Sequence, residues 1–458
     1  MIRSTRALAA IVLSVWATVS PAQQNISLPV EDARALARAA AVQDRPELAR
    51  DLAAALLRGD PQDRTALIVL ALVEPRLGRP TQGRLAGVRA WRVSENRVQR
   101  FEAARLTALA ASREGRQSLA QLWLRRAAAN APTDAALDQT ARDFAAVRRL
   151  NPWNVNLGFS ATPSSNVNGG STSEVLTIDG EPVTLFGLVG SIPEEQQALS
   201  GWSYSADLRI ARRLSVSQTQ RTGLALRLYG RGVVLSDAAR SDAPDAEDDD
   251  YSSAYAAVTL FHDRAAPGGS YGLNATLGSN WSGGDLSYRF LRLGAQRRWQ
   301  GDGAGWSVSG YVEDRRTGDG DPDARVYSLS GGGNRALPAG RLTYAATVER
   351  TDAPSDNDRN AALRLTSGFA LSEPVGPARI ALGAGLEARN YPDYVALTPV
   401  PGGRDDLRGW ATVTASFPEI SYAGFAPVIT LEASRTRSNV SNFDRSSLSV
   451  GFSIQSTF

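Results

Sequence analysis

The fold of this chain is decided by its last segment, Leu448-Ser449-Val450-Gly451-Phe452-Ser453-Ile454-Gln455-Ser456-Thr457-Phe458. Apolar and polar residues alternate here with period two, and the side chains of a β-strand point alternately to opposite faces. One face of the predicted strand is therefore apolar and the other carries small polar residues. A transmembrane β-barrel needs this pattern, because its outside meets lipid and its inside meets water.

The terminal Phe458 adds a second expectation. An alternating strand with an aromatic last residue resembles the signal by which the barrel-assembly machinery recognises its substrates. The alternative is an ordinary amphipathic edge strand that happens to stop at a phenylalanine. The residues predicted to form the signal are Leu448, Val450, Phe452, Ile454 and Phe458.

The beginning of the chain agrees with the barrel interpretation. Arg3 and Arg6 precede an apolar run over residues 7–19, and small residues follow up to Ala22. This order is typical of a secretory signal peptide, predicted over residues 1–22. The run is shorter than the ~20 apolar residues of a membrane-spanning helix. The chain contains no Cys, which excludes disulfides and lipidation at an N-terminal cysteine, and we expect an exported protein.

Residues 23–150 are rich in Ala, Leu, Arg and Glu at helical spacing, with turn signals that end in Pro46, Pro61, Pro80 and Pro132. This predicts paired helices of the tetratricopeptide type, which repeat about every 34 residues and present a peptide-binding surface. A generic helical bundle is the alternative. The small positions of the repeat would fall on Ala37 and Ala49, on Ala71, Gly83 and Ala90, and on Ala108, Ala120 and Ala127.

Arginine outnumbers the acidic residues in this first part, whereas acidic residues outnumber arginine after Asn151. The asymmetry suggests two parts with different partners. The arginines are spread along the chain among acids, so we do not expect a nucleic-acid partner. A binding groove or, alternatively, a solvated face is predicted for Arg84, Arg89, Arg92, Arg97, Arg100 and Arg105.

The composition changes after Asn151, where Gly, Ser, Thr and aromatic residues replace Ala and Leu. About fourteen alternating segments follow, separated by turn signals. Residues 151–458 are therefore predicted to form an all-β transmembrane barrel of about fourteen antiparallel strands, preceded by the α-helical repeat domain of residues 23–150 and the signal peptide 1–22. Long and short connections alternate, which predicts a protein of the outer membrane with its helical domain in the periplasm.

The two faces of the barrel wall can also be predicted. Leu382 and Leu386 should face lipid, whereas Glu387 and Arg389 should face the lumen. Aromatic residues near strand ends are typical of interfacial girdles. The residues predicted to form the girdles are Trp202, Trp281, Tyr288, Trp299, Trp306 and Trp410.

No motif in the sequence predicts catalysis, a cofactor or a bound metal. His262 is the one histidine, and no G-x-S-x-G motif accompanies it, so we expect a lumen or interface residue rather than a catalytic base. The acidic run at 319–323 lacks the Gly and Glu that a calcium loop needs. That run and residues 245–250 are predicted in external loops, either as solvated segments or as ligands for ions shared with lipopolysaccharide.

The stretch Trp153–Asn168 resembles the start of the barrel in the surface lipoprotein assembly modulator family. That family also combines a signal peptide, a periplasmic tetratricopeptide domain and a fourteen-stranded barrel, and its first strand typically leads into Pro-Asp-Ser-Asn-Ile-Asn. Here Ser164 replaces the acid and Val167 is a near match. The matching residues are Pro163, Ser165, Asn166 and Asn168.

The resemblance implies a protein that assists the translocation or display of surface lipoproteins. The helical domain would bind the client, and the barrel would provide the route. Expected partners are then the lipoprotein client, the barrel-assembly machinery during biogenesis, and outer-membrane lipid with lipopolysaccharide. The four motif residues would form a client or gating segment, or they simply end strand one. The alternative function is a passive outer-membrane channel with a periplasmic adaptor domain.

Overall fold

The structure, a computed structural model, describes residues 28–317, 323–422 and 424–456. The predicted signal peptide, most of the acidic run 319–323 and Phe458 lie outside the described residues. Within them, a helical region over residues 30–150 precedes a closed antiparallel β-barrel, as predicted. No described helix is long and apolar enough to cross a membrane.

The helical region contains seven helices joined by short turns. Pro46 and Pro80 each begin a helix at the first helical position, where proline costs no hydrogen bond. The side chains of Asp63, Asn96 and Thr133 accept hydrogen bonds at three further helix starts. The helices are α1 (Val30–Val42), α2 (Pro46–Gly59), α3 (Arg64–Val73), α4 (Pro80–Arg92), α5 (Arg97–Arg113), α6 (Gln117–Ala129) and α7 (Asp134–Leu150).

Consecutive helices pack as hairpins, and α3 also contacts α1 and α5 directly. The predicted small positions lie at these contacts. Ala37 and Ala90 are fully buried, and a Cβ atom on Gly83 would stand 2.5 Å from the Pro75 ring. Small side chains thus let the helices approach closely. Their assignment as tetratricopeptide units stays a prediction.

The barrel consists of fourteen strands in chain order, closed by pairing of the first with the last. Each of the fourteen predicted segments forms one strand. They are β1 (Trp153–Ser164), β2 (Gly201–Val216), β3 (Gln220–Leu235), β4 (Ser253–Ala266), β5 (Gly269–Ser282), β6 (Asp285–Gly301), β7 (Ala304–Arg316), β8 (Ala324–Leu337), β9 (Gly340–Asp352), β10 (Asn360–Leu371), β11 (Arg379–Tyr391), β12 (Arg404–Ser416), β13 (Phe425–Ser438) and β14 (Arg445–Ser456).

The two ends of the barrel differ. At the proximal end, which carries the helices, four of the turns are very short, for example 217–219 and 267–268. At the distal end, connections such as 165–200 and 236–252 are long, although β5 and β6 are joined by Gly283-Gly284 alone. The segment 165–200 contains two short two-stranded ladders, and 236–252 contains a helix over Asp237–Asp242.

The outer face of the wall is apolar and the lumen face is polar. Leu382 and Leu386 are about half exposed on the outside, while Glu387 and Arg389 form ion pairs inside. Two of the predicted girdle residues are corrected, because they point into the lumen. Tyr288 lies 4.7 Å from the guanidinium of Arg315, and Trp410 covers Gly385. Strand position alone cannot reveal this, because the side chain's direction depends on register.

Candidate functional site

The helical region is fixed to the proximal end of the barrel through Arg125 of α6. Its guanidinium donates to the Gly424 carbonyl at 3.0 Å and to Ser456 Oγ at 2.8 Å, so it joins the turn before β13 to the end of β14. The same group lies 5.1 Å from the ring centroid of Phe144 and 4.6 Å from that of Phe425. An arginine between one ring of each region makes a cation–π bridge across the junction.

A second contact fixes the linker between the two regions. Asn151 is buried, its amide donates to Gln121 Oε1 at 2.7 Å, and its Oδ1 accepts the backbone N–H of Trp153 at 3.0 Å. Arg213 of β2 donates to the backbone carbonyls of Arg149 and Asn151. The end of α7 and the start of β1 therefore have a defined geometry, and both junction contacts lie beside the closure between β14 and β1.

Over the part of the chain that the structure describes, that closure, the seam, has fewer paired positions than any other boundary of the barrel. Among the described residues β1 and β14 share three paired positions, Ser160 with Ser453, Ala161 with Phe452, and Ser164 with Ser449. On its other side, β1 is paired with β2 along its full length. The proximal half of β1, from Trp153 to Phe159, thus lies beyond the last described pair with β14.

The distal end of the seam is held by the motif residues. The Ser165 N–H donates to the Leu448 carbonyl at 3.0 Å, and the Leu448 N–H donates back to Ser165 Oγ at 3.0 Å. The hydroxyl oxygens of Ser164 and Ser447 are 3.0 Å apart. Two separately predicted elements, the polar motif after β1 and the terminal strand, therefore meet at one point, which we call the clasp (Ser164, Ser165, Ser447 and Leu448).

Asn166 and Asn168 organise the loop that follows the clasp. The Asn166 amide donates to the carbonyls of Gly170 at 2.9 Å and Ser446 at 3.1 Å. The Asn168 amide donates to the Gln197 carbonyl at 2.6 Å, and its Oδ1 accepts the Leu199 N–H at 2.9 Å. Side-chain amides that are hydrogen-bonded through both the nitrogen and the oxygen hold a loop in one conformation. Pro163 lies on β1, paired with Trp202.

Loops 165–200, 236–252 and 439–444 form a distal cap with its own small core, which includes Val167, Leu199 and Leu235. Arg231 of the lumen face donates to the Val167 carbonyl at 2.6 Å. Asp248 accepts the Leu235 N–H at 2.9 Å, and this bond, with Arg240 beside it, lowers the pKa of the Asp248 carboxyl. The cap is therefore attached to the lumen face near the distal end of the barrel.

The lumen wall carries clusters of arginine and acidic side chains. Glu313 is only 1% exposed and contacts Arg292 at 2.5 Å and Arg315 at 2.7 Å. A buried carboxylate needs such partners, because an uncompensated charge is costly. Two further clusters repeat the arrangement: Asp207 with Arg209 and Arg227, and Glu387 with Arg364 and Arg389.

In the helical region, ion pairs connect each odd-numbered helix to the next odd-numbered one. Each pair joins an arginine to an acid about thirty or more positions later. Helix α3 contacts both α1 and α5, so the odd-numbered helices adjoin one another along the stack. The pairs are Arg34–Asp63 at 2.7 Å, Arg64–Glu102 at 2.6 Å and Arg105–Asp143 at 2.7 Å.

The six candidate groove arginines lie on two helices that pack against each other, and some of them are already engaged in other contacts. Arg84, Arg89 and Arg92 lie on α4, and Arg97, Arg100 and Arg105 lie on α5. Arg84 binds Glu114 at 2.5 Å and thereby lowers the pKa of that carboxyl, while Arg89 donates to the Pro61 carbonyl at 2.6 Å. Arg105 is paired as above, which leaves exposed Arg92, Arg97 and Arg100 as candidates.

His262 lies on the outer face near the proximal rim, where its Nδ1 is 2.8 Å from Thr222 Oγ1. No carboxylate completes a catalytic arrangement with it in the contacts described. Over the described ranges, no group of three or more His, Asp or Glu side chains is placed to hold a metal ion. Sequence reasoning missed Arg125 and the thin seam, because both depend on contacts between residues some 300 positions apart.

Comparison with known proteins finds no matching family model and no matching curated protein. Solved structures of barrels do match. OccAB3 of Acinetobacter baumannii is 9% identical with a TM-score of 0.39, over 66% of this chain and 98% of that one. Salmonella typhi OmpF in complex with daunomycin is 10% identical with a TM-score of 0.36, over 65% and 96%. A BenF-like porin from Pseudomonas fluorescens Pf-5 is 10% identical with a TM-score of 0.36, over 66% of this chain and 98% of that one. Likeness at this level carries no argument about function.

Proposed function

We propose that this protein is an integral outer-membrane barrel whose periplasmic helical domain binds surface lipoproteins and assists their translocation or display. The membrane placement is supported by the closed sheet, since hydrocarbon offers no partner for free backbone groups. The apolar outer face, with residues such as Leu277 and Leu329 about 60% exposed, supports it further. Short proximal turns and long distal loops favour a proximal end in the periplasm.

The observation that carries the proposal is the docking of the helical region beside the seam. Arg125 contacts the end of β14, and Arg213 ties the linker to β2. A client bound by the helices is thereby delivered to the boundary of the wall that has the fewest pairs among the described residues. Exposed Arg92, Arg97 and Arg100 offer charge for an acidic client segment, while the barrel-assembly machinery is the proposed partner of β14 during insertion.

Surface display of a candidate lipoprotein tests the proposal directly. The lipoprotein is co-expressed with the full chain, and intact cells are treated with protease. We expect cleavage of the lipoprotein when the full chain is present. A variant that lacks residues 23–150 after the signal peptide should insert its barrel but lose display. Equal cleavage with and without the full chain would rule the proposed function out.

A passive channel remains the second candidate, because polar lumen residues such as Ser309, Ser330 and Thr347 suit water. Ser330 and Thr347 hydroxyls are 2.9 Å apart across two strands. This function predicts steady ion conductance of the purified barrel in planar bilayers. The distal cap at the lumen mouth leads us to expect low conductance, which rises when loop 165–200 is removed.

A further inference from the structure

The outer face of the barrel carries an apolar groove that borders the seam. Its cavity volume is about 1130 Å³, and its floor consists of small residues, including Ala161, Gly230 and Gly232. A Cβ atom added at either glycine would meet nothing within 4 Å, so the floor is open. The aromatic residues of its lining are Phe159, Tyr204, Trp281 and Phe452.

The groove and the seam are continuous. The paired residues Ser160, Ala161, Phe452 and Ser453 belong to both, and Phe159 lies just beyond the last described pair. A side chain or acyl chain that passed between β1 and β14 at this level would leave the polar lumen face and arrive directly in the groove. A surface that only contacts bulk lipid does not need to adjoin the seam in this way.

The seam is also asymmetric along its length. The clasp holds its distal end with the paired bonds between Ser165 and Leu448, whereas the described pairing ends at Ser160 and Ser453 on the proximal side. Backbone groups facing hydrocarbon are normally paired, because no water replaces the missing bond. The clasp holds the wall at one end, and among the described residues no pair joins β1 to β14 on the proximal side of Ser160 and Ser453. The wall can therefore separate there, near the junction where Arg125 holds the helical domain.

We propose that the seam is a lateral gate for the acyl chains of a lipoprotein client and that the groove outside it receives them. The inference rests on the proposed function and specifies its substrate chemistry. The peptide part of the client follows the polar lumen face, while the acyl chains leave through the seam into the membrane. An acyl chain suits the groove, because most of its lining surface is apolar and it lies on the outer face of the wall.

A disulfide across the seam tests the gate. The chain has no Cys, so Ser160→Cys with Ser453→Cys introduces a single pair at directly opposed positions, whose spacing in an antiparallel ladder suits a disulfide. The matched control is Ser160→Cys with Ser205→Cys, which uses the same β1 residue but crosses to β2, where the hydroxyl oxygens are 2.8 Å apart.

We expect the seam disulfide to reduce lipoprotein display at least tenfold and a reductant to restore it, with the control pair unaffected. Full display through an oxidised seam would overturn the gate while leaving the proposed function standing. If the unsubstituted chain itself gives no display, the proposed function fails, and with it the role of the gate.

Photolabelling tests the groove independently of display. The probe is a diacylated lipopeptide with a photoactivatable acyl chain, added to the purified full-length protein in detergent. We expect labelling of β1–β4 and β14 around the groove, and a loss of that labelling in Gly232→Trp. The control Gly331→Trp fills open space at another outward position, paired with Val308. Labelling spread evenly around the barrel, or unchanged in Gly232→Trp, would overturn the groove assignment.

Discussion

Ser165 and Leu448 close the barrel through two hydrogen bonds of 3.0 Å, one from each backbone N–H. They stand 283 positions apart, one in the polar motif after β1 and the other on the apolar face of β14. The pair makes the motif part of the wall's closure rather than a loose strand end.

Substitution of Ser165 by Ala tests the contribution of the clasp. The change removes the acceptor of the Leu448 N–H and should cost about 1–2 kcal/mol of local stability. We expect faster hydrogen exchange in residues 445–450, measured on the folded barrel in detergent. Ser203→Ala is the control, because its hydroxyl makes only a 3.4 Å contact on the paired side of β1. Equal effects of the two changes would show that the clasp has no special role.

Asn166→Asp should loosen the distal cap. The new carboxylate would face the carbonyls of Gly170 and Ser446, which now accept hydrogen bonds from the amide. Loss of both bonds with added repulsion should cost about 1–3 kcal/mol. Limited proteolysis of the intact barrel should then cut within loop 165–200. The control Asn357→Asp changes an exposed residue of another distal loop and should leave loop 165–200 resistant. Unchanged resistance in the Asn166 variant would contradict this role.

Arg125→Ala should weaken the attachment of the helical region to the barrel. The residue contributes two hydrogen bonds and a cation–π bridge to Phe425, together about 1–3 kcal/mol. Hydrogen exchange in α6 and α7 should increase, while heat-modifiable migration of the barrel on gels stays unchanged. Arg126→Ala is the matched control, because that guanidinium covers Trp123 within the helical region. An α6 protected equally in both variants would mean that other contacts fix the junction.

Removal of the Glu313 carboxylate should destabilise the lumen wall. Glu313→Ala leaves Arg292 and Arg315 without their shared partner, and breaking a buried pair on one side typically costs about 3–5 kcal/mol. We expect a lower temperature for the gel shift between folded and unfolded barrel. Glu432→Ala, a lumen-facing control without a described ion pair, should shift it much less. No difference between the two variants would indicate that water already screens the cluster.

The helical region should lose stability in acid through Glu114. Its hydrogen bond with Arg84 lowers the pKa of the carboxyl in the folded chain. The associated stability is present above the unfolded pKa of about 4.5 and is lost as the pH falls through the folded pKa. Hydrogen exchange of α4 and α5 in the full chain should therefore rise below about pH 4.5. In Glu114→Gln this pH dependence should be reduced, and an identical profile would contradict the assignment.

Much of the architecture could be predicted, because it depends on local pattern. Alternation along segments such as 448–456 and proline at helix starts such as Pro46 are properties of a few neighbouring residues. Side-chain direction is harder to predict, since Tyr288 and Trp410 face the lumen and not the lipid. Near both residues the wall contains glycine or a register shift, and aromatic rings fill the space from the lumen side.

The candidate site could be predicted only in parts. The motif identifies Ser165 and Asn166 but not their partners on β14. For the arginines of α4 and α5, sequence proximity does not identify the acids that some of them bind. Arg84 and Arg105 bind acids at positions 114 and 143. The sequence near an arginine does not reveal a partner that lies about thirty positions away. Each partner alone has the sequence features of a solvated charge.

The sequence by itself determined that helices precede fourteen alternating strands, since side-chain period and turn residues are local properties. Only the tertiary structure decided where the barrel closes weakly, which residues form the clasp, and that Arg125 holds the helices beside the seam. These contacts join residues hundreds of positions apart. Their strength depends on geometry that exists only once the sheet has curved back on itself and the two ends of the chain have met.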